Sequence, residues 1–362
     1  TRQVNRVFSM PVMILFKYGN YLTLSVIDRR ISKRDESKDV LEKVTLIKDI
    51  SIEKPHRAHI EILHDLSLVE LREKFPVTNF VELHRAWPKI LDTKELNKRF
   101  YGELSNWYFW AMNKVEYPDD IEKDNEVRNS VNLIRFLTRI IFVWFIKEKR
   151  LIPEGIFVKN SIKSLLKEFL ESEESCSYYK AILQNLFFAV LNQKMGERAF
   201  AKNGSFHENK THYGVKSLLR YSELFKIEES QVLELFKEVP FLNGGLFDCL
   251  DITDNNGKVK YIDGFSRNPK KQAFVPDHLF FSEETNIDLN EIYGTTNKAY
   301  KVRGLIDILS SYKFTIAENT PVEEEVALDP ELLGRVFENL LASYNPETQT
   351  TARKQTGSFY TP

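Results

Sequence analysis

Residues 127–149 read Val127-Arg-Asn-Ser-Val-Asn-Leu-Ile-Arg-Phe-Leu-Thr-Arg-Ile-Ile-Phe-Val-Trp-Phe-Ile-Lys-Glu-Lys149, and the period of this stretch decides the fold. Arg128, Asn132, Arg135 and Arg139 recur at spacings of four, three and four. On a helix of 3.6 residues per turn they form one polar stripe on an otherwise apolar cylinder, so the segment reads as a mostly buried helix. Its longest apolar run, Ile140 to Ile146, has seven residues, whereas a membrane span needs about 20. Basic residues flank that run, and we expect a soluble chain with no membrane partner.

Working outward, the helical period continues. Leu96, Phe100, Leu104, Trp107 and Phe109 to Met112 mark an aromatic-rich helix that Pro118-Asp-Asp closes. Residues 162–170, 178–191 and 217–225 also read as helices. Asp329 and Pro330 supply a cap and first-turn proline for another, whose apolar face runs from Leu332 to Leu341. The start differs. Pro11 to Lys17 and Tyr21 to Ile27 are apolar, partly β-branched runs around Gly19-Asn20, a hairpin pattern, and residues 44–52 can pair with it. Asp254-Asn-Asn-Gly257 predicts a second, smaller hairpin, and the polar stretch Lys194 to Gly214 reads as a mobile loop. The expectation is an α+β fold, predominantly α. A small β-containing N-terminal module (1–92) precedes a large helical connector domain (93–347), and 348–362 begin something further.

Composition narrows the function classes. Of 362 residues 42% are hydrophobic and 28% charged, which excludes a disordered or collagen-like chain. With 51 Lys+Arg against 52 Asp+Glu the net charge is -1, so any attraction to nucleic acid is local. One local candidate is 1–34, where seven bases face one acid, although a solvated hairpin explains it equally. Cys176 and Cys249 are too sparse for a disulfide framework, which points to the cytoplasm. The first residue is Thr1 and the last, Pro362, falls inside a motif, so both ends read as cut.

Several constellations are set aside. His56, His59 and His64 lack the Cys or carboxylate partners of a zinc site and read as surface or packing residues. Asp251 to Gly257 is no calcium loop, since aligning Gly257 puts Ile252 at the first ligand position. Asn243-Gly-Gly245 reads as a bend, and Glu323-Glu-Glu325 as part of a solvated acidic linker. No metal site and no catalytic nucleophile is expected in this chain. What remains is the C-terminal string: Gly357 frees the backbone, Phe359 and Tyr360 offer flat faces, and Thr361-Pro362 sets a bent exit.

Arg353-Lys-Gln-Thr-Gly-Ser-Phe-Tyr-Thr-Pro362, preceded by Leu328-Asp-Pro-Glu-Leu-Leu-Gly-Arg-Val-Phe-Glu338, resembles the opening of the methyltransferase domain of type IIG restriction-modification enzymes and related DNA adenine-N6 methyltransferases. Phe136-Leu-Thr-Arg139 to Phe145-Ile-Lys-Glu148 and Val239-Pro-Phe-Leu-Asn-Gly-Gly-Leu-Phe-Asp248 are similar to strings in the helical region before that domain. The resemblance covers roughly residues 95 to 362 and, more weakly, the β-containing start.

It implies that Gly357, Phe359, Tyr360, Thr361 and Pro362 belong to motif X and help bind S-adenosylmethionine in the intact enzyme. It also implies double-stranded DNA as a partner, with Arg353 and Lys354 as phosphate contacts, and downstream methyltransferase and target-recognition domains. The family's glycine loop and its Asn/Asp-Pro-Pro-Tyr/Phe tetrad are missing, since Asn268-Pro269 is followed by Lys270 and Asn345-Pro346 by Glu347. The chain is therefore not expected to methylate DNA by itself. Type IIG enzymes also carry an N-terminal Mg²⁺-dependent nuclease module. Here only Asp28 with Glu36-Ser-Lys38 approaches that pattern, in a charged stretch that reads as a loop. Mg²⁺ is implied only if such a domain is present. The alternative expectation is a non-catalytic DNA-binding or assembly scaffold of a phage-defence system.

Overall fold

The computed structural model describes residues 12–31, 39–201, 215–242, 244–315 and 323–328, together with Gly334. The fold is α+β and mostly α. It divides into two compact units, one of 1–102 with 308–332 and one of 103–307 with 333–362. The capped helix expected from Asp329 to Leu341 lies outside the described residues, apart from the helical Gly334.

The first unit holds the sheet. Strands β1 (Val12–Tyr18), β2 (Tyr21–Ile31) and β3 (Asp39–Ser51) are antiparallel neighbours. The β1–β2 turn is the expected Gly19-Asn20, with Gly19 at φ +51 and Tyr18 paired to Tyr21. Ile27, Val44 and Leu46 form a core against which Val12 and Ile14 pack. Helices α1 (Arg57–Asp65), α2 (Leu68–Lys74) and α3 (Phe80–Ile90) follow, and the division between units falls inside α4 (Thr93–Met112), after Gly102. Phe100 meets Tyr312 and Phe314 edge-on at 5.2 and 5.8 Å.

The acidic run corrects an expectation. Glu323–Glu325 is a fourth strand, parallel to β3, rather than a solvated linker. The edge of β3 offers backbone partners, with Val326 N–H donating to Leu46 O at 2.8 Å. Buried Glu325 is neutralised by Lys313 at 2.8 Å and Lys48 at 3.5 Å. Lys48 is distant in sequence and Lys313 lies twelve residues upstream, outside the acidic run, so a count of charges within that run could not see them.

The second unit is built around α5 (Asn125–Glu148), capped by Asp124, whose side chain accepts from Val127 N–H at 2.9 Å. By length and composition α5 could cross a membrane, but 78% of its apolar window is buried inside the unit, as in a core helix. Phe136 packs against Trp107, Tyr179 and Phe280 at 5.7 to 6.1 Å. Residues Tyr178–Val190 form a π-helix that closes with Leu191 N–H donating to Leu186 O. The small hairpin is present as Ile252–Thr253 paired with Val259–Lys260, turning at Gly257 with φ +76.

Residues 217–225 are not the expected helix. Only Ser222–Leu224 makes a single 3-10 turn, and Tyr221 sits in the left-handed region at φ 64. The buried Asn185 side chain takes both backbone groups of Arg220, accepting its N–H and donating to its C=O at 2.8 Å each. A side-chain amide thus replaces the helical ladder. Of the polar stretch 194–214, residues 202–214 lie outside the described ones, while Ala199 and Ala201 bond to Leu219.

His59 is buried in the first unit, with both ring nitrogens unpaired, and meets His56 edge-on at 5.3 Å. Burial, helped by the charges of His56 and Lys313 and opposed by Asp49, pushes its pKa down to about 3. The folded state therefore resists a proton that the unfolded chain takes near pH 6.5, so stability present above that pH is lost on acidification. Below pH 6.5 the loss approaches about 1.4 kcal/mol per pH unit for this one group. Thermal unfolding between pH 4 and 7 should show a shallower pH slope for His59→Phe than for the parent chain. Equal slopes would rule out His59 as the source.

Candidate functional site on the polar stripe

The stripe read from the sequence faces two different surroundings. At its inner end Arg139 is 4% exposed and its partner Asp263 2%, with Nη1 donating to Oδ1 at 2.7 Å. The same guanidinium donates from Nε to Leu246 O and from Nη2 to Asp248 O, each at 2.9 Å. Its face lies over the Phe188 ring, 4.9 Å from the centroid. Burial works against the charge, but Asp263 outweighs it and raises the Arg139 pKa.

The acidic side is equally satisfied. Asp263 accepts Leu250 N–H at 2.7 Å, and its backbone C=O accepts from Gln184 at 2.9 Å. Asp251 takes four consecutive N–H groups, Ile262 to Phe265, at 2.7 to 3.2 Å. Burial still raises the Asp251 carboxyl above its usual range, with Asp263 adding to the effect. Gly264 is at φ +65, and a Cβ there would stand 2.5 Å from Ala273 N, so only glycine fits this bend. The result is a rigid knot joining α5 to the glycine-bent segment 239–248. Asn243 of that segment lies outside the described residues.

At its outer end the stripe lines a cavity of about 220 Å³. Arg128 is spent on main-chain oxygens of Glu122 and Lys123 and on Asn125 Oδ1. Arg135, half-buried, makes no hydrogen bond or ion pair among the described residues, and burial lowers its pKa. Arg128 Nε and Asn132 Oδ1 are buried in the wall without partners, each at a cost of about 1–3 kcal/mol. Glu122, the acid of the lining, accepts Asp124 N–H at 2.9 Å.

The other anticipated positions separate clearly. Arg353, Lys354, Gly357, Phe359, Tyr360, Thr361 and Pro362 lie outside the described residues, as do Glu36 and Lys38. Asp28 is described and contacts His84 Nε2 at 3.2 Å. His64, Asp65 and Glu70 bring ligand atoms within 4.8 Å of one another, but Asp65 is already bound by Lys74 at 2.6 Å and Arg99 at 2.7 Å. Asp263 and Asp277 escaped the sequence reading. Asp277 accepts from Tyr178 N–H and the Ser177 hydroxyl at the start of the π-helix. Nothing local sets either aspartate apart from a surface acid.

A comparison with known proteins bears on this knot. The chain is 25% identical over 283 residues to a protein of Methanocaldococcus jannaschii named "Putative type II restriction enzyme and methyltransferase". The chain is similar to a restriction-modification protein. The match takes in 78% of this chain and 17% of that protein, so the chain spans under a fifth of the length of this restriction-modification relative. No protein-family model matches the chain. No solved structure matches it.

Replacing Asp263 by Asn keeps the shape but leaves Arg139 charged and buried without an anion. Chemical denaturation should report a loss of about 3–5 kcal/mol for Asp263→Asn. Asp248→Asn should stay within about 0.5 kcal/mol of the parent, because Arg139 uses only its backbone oxygen. Similar losses for both would contradict this account of the knot.

Proposed function

We propose that the chain is the N-terminal and connector part of a restriction-modification enzyme that methylates adenine N6 at specific sites in double-stranded DNA. The observation that carries the reading is the knot. Phe136–Glu148 and Val239–Asp248, each similar to the helical region of type IIG enzymes, are about a hundred residues apart, and Arg139 of the first bonds directly to the second. The M. jannaschii relative supports the same direction.

In this reading the connector packs against a methyltransferase domain and helps position DNA in a cytoplasmic defence system. Both described thiols, Cys176 and Cys249, are free. When bound, S-adenosylmethionine supplies a sulfonium methyl group. Gly357, Phe359, Tyr360, Thr361 and Pro362 are assigned to it by resemblance alone, and no step is derived through it. Adenine N6 is a weak nucleophile inside a stacked duplex, so the target base is flipped out by groups in the downstream domain. No Mg²⁺-dependent step is proposed, since Asp28 is engaged by His84.

The test uses the full-length protein to which the chain belongs, with S-adenosylmethionine and unmethylated duplex DNA. Mass spectrometry of the digested DNA should find N6-methyladenine. Methylated cytosine instead would refute adenine specificity, and DNA binding without any methylated nucleoside would favour the scaffold. Tyr360→Ala should weaken S-adenosylmethionine binding by about tenfold, the scale of losing one ring contact.

A further inference from the structure

The cavity beside the outer half of α5 is left unexplained by the knot and by the methyltransferase reading. Its wall carries Arg128 and Arg135 against one acid, Glu122, which is exposed to solvent and accepts a backbone N–H with Oε1. Arg128 is committed to two carbonyls and an amide oxygen. Arg135 is not. A half-buried guanidinium with no anion, in a concavity, is an unfinished interaction, because its donor fork has lost part of its water without gaining a partner among the described residues.

We infer that this cavity is an oxyanion site in which Arg135 receives a phosphoryl group. A guanidinium fork matches two phosphoryl oxygens at once. The volume, about 220 Å³, lies below the ~300–1,000 Å³ of pockets that enclose whole drug-sized ligands, which limits the occupant to a phosphate with part of what it is attached to. Pro118 and Ile121 give the cavity an apolar wall beside Tyr261, suited to the carbon side of a phosphoester. Arg128 Nε–H and Asn132 Oδ1, buried and unpaired in the same wall, are a donor and an acceptor that an incoming ligand or its water would satisfy. Arg139 is ruled out as the anchor because it is buried and Asp263 and two carbonyls already engage all three of its nitrogens.

The site stands on these contacts and not on the methyltransferase reading, and its loss would leave that reading intact. Two sources can present the same group, a free phosphate or the backbone of DNA, and the measurement separates them. With the full chain, calorimetry with inorganic phosphate alone is run beside fluorescence anisotropy of a labelled duplex. Arg135→Met is compared with Lys98→Met, which removes an equal charge from the exposed side chain of Lys98 on α4.

Arg135→Met should weaken one of the two by at least tenfold while Lys98→Met changes it less than twofold. Loss of phosphate binding assigns a free phosphate or nucleotide, and loss of duplex binding assigns the DNA backbone. Arg135→Lys, which keeps the charge without the fork, should be intermediate, and it replaces Arg135→Met if that variant fails to fold. Parent affinities that are unmeasurable for both probes, or unchanged by substituting Arg135, overturn the proposal.

Discussion

The second unit depends on one ion pair kept out of water. Transferring Arg139 and Asp263 into a low-dielectric interior is costly, and their attraction alone need not offset it. The surrounding hydrogen bonds decide the outcome. Each Arg139 nitrogen donates to an oxygen, and Asp263 also caps Leu250 N–H. A network satisfied to this degree rigidifies, whereas a partly satisfied one would destabilise the core. That is why a glycine-containing segment with a single 3-10 turn, Gly245–Phe247, is held against a helix more than a hundred positions upstream in sequence.

The knot also explains how one helix supports two chemistries. Arg128, Asn132, Arg135 and Arg139 are equivalent as a sequence pattern, but the polypeptide closes over the inner end and leaves the outer end concave. Arg139 becomes structural because carbonyls and a carboxylate converge on it. Arg135, one turn away, feels the Asp263 charge only at a distance, with Arg139 opposing it. The contrast comes from the partners and not from the residue type.

How much was legible in the sequence follows the range of the forces involved. The period of 127–149, the Gly19-Asn20 turn and the Gly257 turn are local, and the elements stand where those signals put them. Glu323–Glu325 and 217–225 were misread because distant groups settle them. Lys48 and Lys313 pair with Glu325, the β3 edge pairs with the backbone of 323–325, and the Asn185 amide holds Arg220 out of a helix. Of the site, the arginine stripe was visible, while Asp263, which pairs with Arg139 and leaves Arg135 without an anion, was not. Motif X was legible only by resemblance, and its residues lie outside the described ones.

A double-mutant cycle on Arg139 and Asp263 tests the central claim most directly. Equilibrium unfolding would be measured for the parent chain, Arg139→Met, Asp263→Leu and the pair together. A true buried couple predicts strong non-additivity, with an interaction energy at least as large as the greater single loss, about 3–5 kcal/mol, and a double variant no less stable than either single one. Losses that add to within about 0.5 kcal/mol would mean that the two side chains act independently, and the knot would not be what holds the unit together.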